Sequence, residues 1–139
     1  MHILAFRYAD SITRGKCVDF YISGRSLLNK VERLGYKDMI PRLGTEFLPA
    51  DLETRELLLL QRQDELPKGR VGLYVCPLCA DYGCGVVSVK ITRDGTDFVW
   101  SEFRHENNYE SKHEAINNLG PFRFDEEQYR STIMGGVVV

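Results

Sequence analysis

No apolar run in this chain approaches the ~20 consecutive residues that a membrane-crossing helix needs, so an α-helical span is not expected. Basic residues are not clustered either. The 18 Lys and Arg are scattered among 20 Asp and Glu, leaving a net charge of -2 and a pI near 5.9. Nucleic-acid binding, which rests on a concentrated cationic face, is therefore not expected. There is no Gly-rich phosphate loop, no Ser nucleophile elbow, no carboxylate pair, no internal repeat and no interdomain linker. Charge interrupts the opening residues, Met1 to Arg7, too early for a signal peptide. With only four cysteines and no export signal, the thiols are expected reduced and the setting cytoplasmic.

What is present suits one globular domain over 1–139: 43% hydrophobic residues with 27% charge, in a chain long enough to bury a core without staples. Residues 2–9 and 17–22 are rich in β-formers and read as an antiparallel pair across a polar link. Ser23-Gly24 breaks the second strand. Leu27, Leu28, Val31 and Leu34 then share one helical face, with Gly35 at the C-terminal cap. Tyr36 to Pro49 reads as a connecting loop. Asp51 to Gln63 reads as a helix, although the run Leu57 to Leu60 alone would equally suit a buried strand.

The pattern is clearest from Arg70 onward. Val71 to Cys76, Val86 to Thr92 and Thr96 to Phe103 read as strands, the last two joined by Asp94-Gly95 as a two-residue type I′ turn. That turn sets Ile91 opposite Phe98 and Val89 opposite Trp100, with Val87, Val89, Ile91, Phe98 and Trp100 on one core face. Arg104 to Leu119 is polar and reads as a surface segment with a helical turn near Lys112–Ile116. Asp125 caps a final helix. Gln128 takes the capping-box position, and Phe124 with Tyr129 is spaced as a hydrophobic staple. The fold class that follows is α+β: a mostly antiparallel sheet with two or three helices packed on one face.

Chemistry-bearing residues concentrate in the turn between Val75 and Val86, where the spacing is Cys76-x2-Cys79-x4-Cys84. Two cysteines at this spacing put both thiolates on one side of a tight loop, as tetrahedral zinc requires. Extending the hairpin register sets Cys84 opposite His105, so Cys76, Cys79, Cys84 and His105 form a candidate Cys3His set, and zinc is the cofactor it admits. A one-residue bulge would swing His105 to the other face. Two alternatives stay open: small buried thiols in a Gly-rich turn, or thiol oxidoreduction, which needs an exposed low-pKa thiol at this cluster. Cys17, inside a strand, reads as buried and inert. His105-Glu106 and His113-Glu114 read as polar surface pairs, and His2 as a chain-end residue.

The segment from Tyr74 to Gly85 resembles a group of small uncharacterised bacterial proteins sharing the pattern Y-V-C-P-x-C-x-D-x-G-C-G. Tyr74, Val75, Cys76, Pro77, Cys79, Asp81, Gly83, Cys84 and Gly85 match it. Ile22 to Leu27, Val99 to Phe103, Glu106 to Tyr109 and Gly120 to Asp125 are similar to that group's other segments. The resemblance implies at most the loose oxidoreductase label that some of its members carry. Small size, acidic pI and the lack of an assembled catalytic set favour a non-enzymatic module that binds a protein partner, such as an immunity- or antitoxin-like inhibitor of a bacterial toxin.

Overall fold

The computed structural model describes residues 1–11, 15–43, 51–78 and 82–135. Among them run β1 (Leu4–Ser11), β2 (Gly15–Ile22), β3 (Arg25–Ser26), α1 (Leu27–Arg33), β4 (Ile40–Pro41), α2 (Asp51–Leu58), β5 (Arg70–Val75), β6 (Val86–Asp94), β7 (Asp97–Glu106), β8 (His113–Ala115), β9 (Phe122–Phe124) and α3 (Glu126–Gly135), with a 3-10 turn at Tyr82–Cys84. The α+β class and the antiparallel pairing are as the sequence implies. The strands fall into two sheets, β1-β2-β3 and β4-β5-β6-β7-β8, with β9 also paired to β7. None of the described helices is long and apolar enough to cross a membrane.

Two single bridges join the sheets. Val18 of β2 pairs with Leu43, just past β4, and His2 pairs with Phe124 of β9. Backbone bonds of 3.0 Å (Val18 N to Leu43 O) and 2.8 Å (His2 N to Arg123 O) hold these seams. The sheets therefore wrap round one core in a barrel-like closure, with Leu4, Phe6, Val18 and Phe20 facing Val87, Val89, Ile91 and Trp100. Helix α1 packs on β2, whereas α3 packs on both β1 and β7 and touches α2.

Local chemistry fixes the helix ends. The Ser26 hydroxyl accepts from Asn29 N at 3.0 Å, an N-cap bond for α1. Asp125 caps α3 by accepting from Gln128 N at 3.1 Å, and the Phe124 and Tyr129 rings meet at 5.3 Å, as a staple requires. Gln128 does not close a capping box. Its amide reaches β1 instead, accepting from Leu4 N at 3.0 Å and donating to Leu4 O at 2.7 Å. The Leu57–Leu60 run forms the end of α2 followed by a turn, with Leu57, Leu58 and Leu59 buried.

The strand pairing corrects further sequence expectations. The β6–β7 turn is Gly95-Thr96, closed by Asp94 opposite Asp97, so Ile91 faces Trp100. Only Gly95 of the two has positive φ, as a type II′ turn asks of its first central residue. The closing pair is two like charges, and Arg123 explains it by bonding Asp97 at 2.7 Å and Asp94 at 2.8 Å. Because the slip is two residues, parity is kept and the expected core face stays in the core. The second correction concerns residues 112–116: His113–Ala115 is strand β8, paired to the end of β7, and not a helical turn.

Candidate functional site

The cysteine turn is anchored from below by a second apolar cluster of Ile40, Leu66, Val75, Tyr82 and Val86. Tyr82 lies against Gly72, where a Cβ would stand 2.7 Å from its ring; only glycine admits that approach, and β5 shifts register just beyond it. The Tyr82 hydroxyl donates to Asp64, which also accepts from Gly72 N at 3.0 Å and pairs with Arg42 at 3.4 Å. Burial, foremost, pushes the Tyr82 phenol far up, so it stays a protonated donor. Here polar satisfaction holds a turn in place.

His105 is not opposite Cys84. Between Lys90↔Ser101 and Ser88↔Arg104, β7 carries one residue more than β6, and Glu102 sits there at φ 51, a β-bulge. Turn slip and bulge together set His105 opposite Val87. The ring nevertheless leans over Gly85, where a Cβ would lie 2.8 Å from its Nε2, and stacks on Tyr36 at 5.3 Å between centroids. Tyr36 donates to Glu114, the residue opposite His105 on β8. Burial and then that carboxylate raise the Tyr36 phenol to about 12. The two polar pairs singled out in the sequence thus meet: His105 faces Glu114, and Glu106 faces His113.

Cys76, Cys84 and His105 line one cavity of about 330 Å³, together with Tyr36 and Met39. Three of the four candidate metal ligands therefore share a wall; Cys79 lies outside the described residues. Cys76 is a free, half-buried thiol. Cys84 is exposed and disulfide-bonded, which departs from the expectation of reduced thiols throughout and occupies the sulfur a metal would need. Among the described residues, no three His, Cys, Asp or Glu groups are poised to hold a metal ion. Cys17 is buried and free. Burial, helped by Asp19 and Asp10, raises its thiol to about 11, as an inert cysteine should show.

A second cavity, about 510 Å³, shares Lys37, Asp38 and Met39 with the first and runs along the cysteine turn. Leu28, Met39, Ile40 and Pro41 make its apolar floor, and Pro77 and Leu78 its edge. Leu78 is 76% exposed. The charged groups on this groove are Asp10, Glu32 and Asp38 against Lys37. Sequence reasoning found the cysteines and His105 but missed Tyr36 and this groove. Neither carries a spacing signal, since both arise where the α1–β4 connection folds against the turn. Comparison of the chain with protein-family models, with curated proteins and with solved structures finds no match in any of the three.

Proposed function

We propose that this chain is a non-enzymatic protein-binding module whose docking surface is the groove along the cysteine turn. One observation carries the reading: an apolar floor with an exposed leucine at its edge and three acids to one lysine around it. Exposed apolar surface rimmed by charge is the usual mark of a docking site. The excess of acids selects a basic partner that presents an apolar side chain, because complementary charge steers encounter and rejects wrong partners. An immunity- or antitoxin-like inhibitor of a basic bacterial toxin is the form this takes. The test is rescue of growth when the chain is co-expressed with a candidate toxin encoded beside it. Leu78→Asp is expected to weaken the complex at least about tenfold and to abolish rescue, and Glu32→Lys to slow association, most at low salt. No complex, or one indifferent to both substitutions, would refute the reading.

The free Cys76 thiol beside the oxidised Cys84 favours a second reading, thiol–disulfide exchange. In it, the Cys76 thiolate attacks the Cys84 sulfur, a Cys76–Cys84 bond forms, and the former partner sulfur leaves as a thiolate. The expected result is a disulfide that equilibrates with glutathione near the cytosolic poise and changes its exchange rate in Cys76→Ser. A potential far below that range would assign the bond a structural role. Elemental analysis of the reduced protein addresses zinc directly: reduction returns the Cys84 thiol to the wall holding Cys76 and His105, and Cys79 would have to supply the fourth ligand. About one zinc per chain, lost in Cys84→Ser, is the result a Cys3His clip requires.

A further inference from the structure

Another cavity, about 560 Å³, lies away from the cysteine turn and shares no lining residue with the groove. Arg70 lies on its wall with Lys68, Lys90 and Arg104, and four glutamates line the same wall. Arg70 is only 3% exposed. Its Nε donates to Glu106 Oε2 at 3.0 Å and to Ser88 Oγ at 3.2 Å, and its Nη2 donates to Ser88 Oγ at 2.9 Å and Glu102 O at 2.6 Å. Nη1 is buried and has no partner among the described residues. Such an orphaned nitrogen on a charged group is costly, and native proteins leave few of them.

The surrounding charge does not repair this. Glu106 is the only carboxylate in an ion pair with Arg70 among the described residues, and Lys90 takes Glu102 at 3.5 Å. Arg104 and Lys68 make no ion pair among the described residues. Burial first, and then the neighbouring Arg104, disfavour the charge on Arg70, against the pull of Glu106. Of the four glutamates on the wall, Glu106 and Glu102 are already paired, and Arg104 stands beside Arg70 without an ion pair among the described residues. A guanidinium fork matches the paired oxygens of a carboxylate or phosphate, and the volume is that of a small-ligand site.

We propose that the cavity walled by Arg70 and Arg104 binds a small oxyanion, a carboxylate or phosphate group, with Arg104 as the direct ligand and Arg70 as the buried charge behind it. The site is separate from the docking groove, so either can fail alone. The test is thermal unfolding of the full chain titrated with inorganic phosphate and, in a parallel arm, with malonate, each against sodium chloride at matched ionic strength. A binder of the folded state raises the Tm in a saturable way, by about 5 °C well above its Kd. Arg104→Gln is expected to weaken the effective anion about tenfold. Should that variant fail to fold, Arg104→Lys keeps the charge, loses the fork and is expected to weaken binding in the same direction. The arm that saturates names phosphate or carboxylate as the chemistry. A Tm rise that chloride reproduces, or one unchanged in the Arg104 variants, would overturn the proposal.

Discussion

Trp100→Ala is expected to lower folding stability by about 3–5 kcal/mol, a large fraction of the ~5–15 kcal/mol that holds most domains folded. Trp100 is fully buried and is the point where the two sheets meet. Its ring packs edge-on against Phe20 of the smaller sheet at 5.8 Å, and against Phe124 at 5.3 Å and Tyr129 at 6.2 Å. Its Nε1 donates to the Tyr129 hydroxyl at 3.0 Å, and that hydroxyl donates to Leu58 O at 2.6 Å. One chain of bonds therefore joins β7, α3 and the end of α2. Truncation opens a cavity at the seam and removes the first donor of that chain. Trp100→Phe keeps a ring and loses only the indole bond and some volume, so it should cost markedly less. The measurement is the urea midpoint of both variants with the slope checked for constancy. A loss below about 1 kcal/mol for the alanine variant would show that the sheets are held together elsewhere.

What the sequence disclosed and what it hid follow a physical division. Local signals were legible: the Asp125 cap, the staple of Phe124 on Tyr129, and Gly35 behind α1 each depend on residues within a turn or so of each other, whereas the Ser26 cap of α1 was not read from the sequence. Face parity was legible too, because a two-residue slip in the hairpin leaves Val87, Val89, Ile91, Phe98 and Trp100 pointing inward. The slip itself was not. Asp94-Gly95 is the better local turn, and the register is decided by Arg123, which arrives from β9 to hold Asp94 and Asp97 together. The bulge at Glu102 and the pairing of β8 are likewise tertiary outcomes, since nothing in a polar stretch around His113 distinguishes an edge strand from a loop.

The site divides in the same way. Spacing brought out Cys76, Cys79 and Cys84, the extended hairpin register brought in His105, and Cys76, Cys84 and His105 do line one cavity. The expected route to their meeting, an opposed Cys84–His105 pair, does not occur. They meet because the His105 ring lies on Gly85, a residue with no side chain to exclude it. The oxidised state of Cys84 could not be read from a motif whose spacing suits zinc and disulfides alike. Arg70 was invisible for a simpler reason: a single arginine at a strand start reads as an exposed end. Its burial follows from the carboxylate and hydroxyl that Glu106 and Ser88 bring from two other strands.

Asp19 should be the main source of an unusual pH dependence, and its removal should cost about 3 kcal/mol. It is a buried carboxylate at the junction of three elements. Its Oδ1 accepts from Phe20 N at 2.7 Å and from the Tyr74 hydroxyl at 2.9 Å, and its Oδ2 accepts from Ser26 Oγ at 2.6 Å. Because Ser26 is also the N-cap of α1, Asp19 fixes the cap that fixes the helix. Asp19→Ala leaves three donors unpaired, each costing roughly 1 kcal/mol or more. Burial raises the Asp19 pKa more than those bonds lower it. A raised native pKa means the folded state holds the proton more tightly than the unfolded chain, where an aspartate titrates at ~3.9. Stability therefore falls as pH rises from about 4 to the raised native value, and levels off above it. Asp19→Asn keeps the shape, accepts from Phe20 N and Tyr74, and carries no charge at any pH. Its stability relative to the wild type should rise across that window, because only the wild type loses stability there. Denaturant unfolding of the two proteins at a series of pH values gives the difference directly. A difference that stays flat from about pH 4 upward, or that runs the other way, would mean that the bonds from Ser26, Tyr74 and Phe20 outweigh burial at this carboxylate.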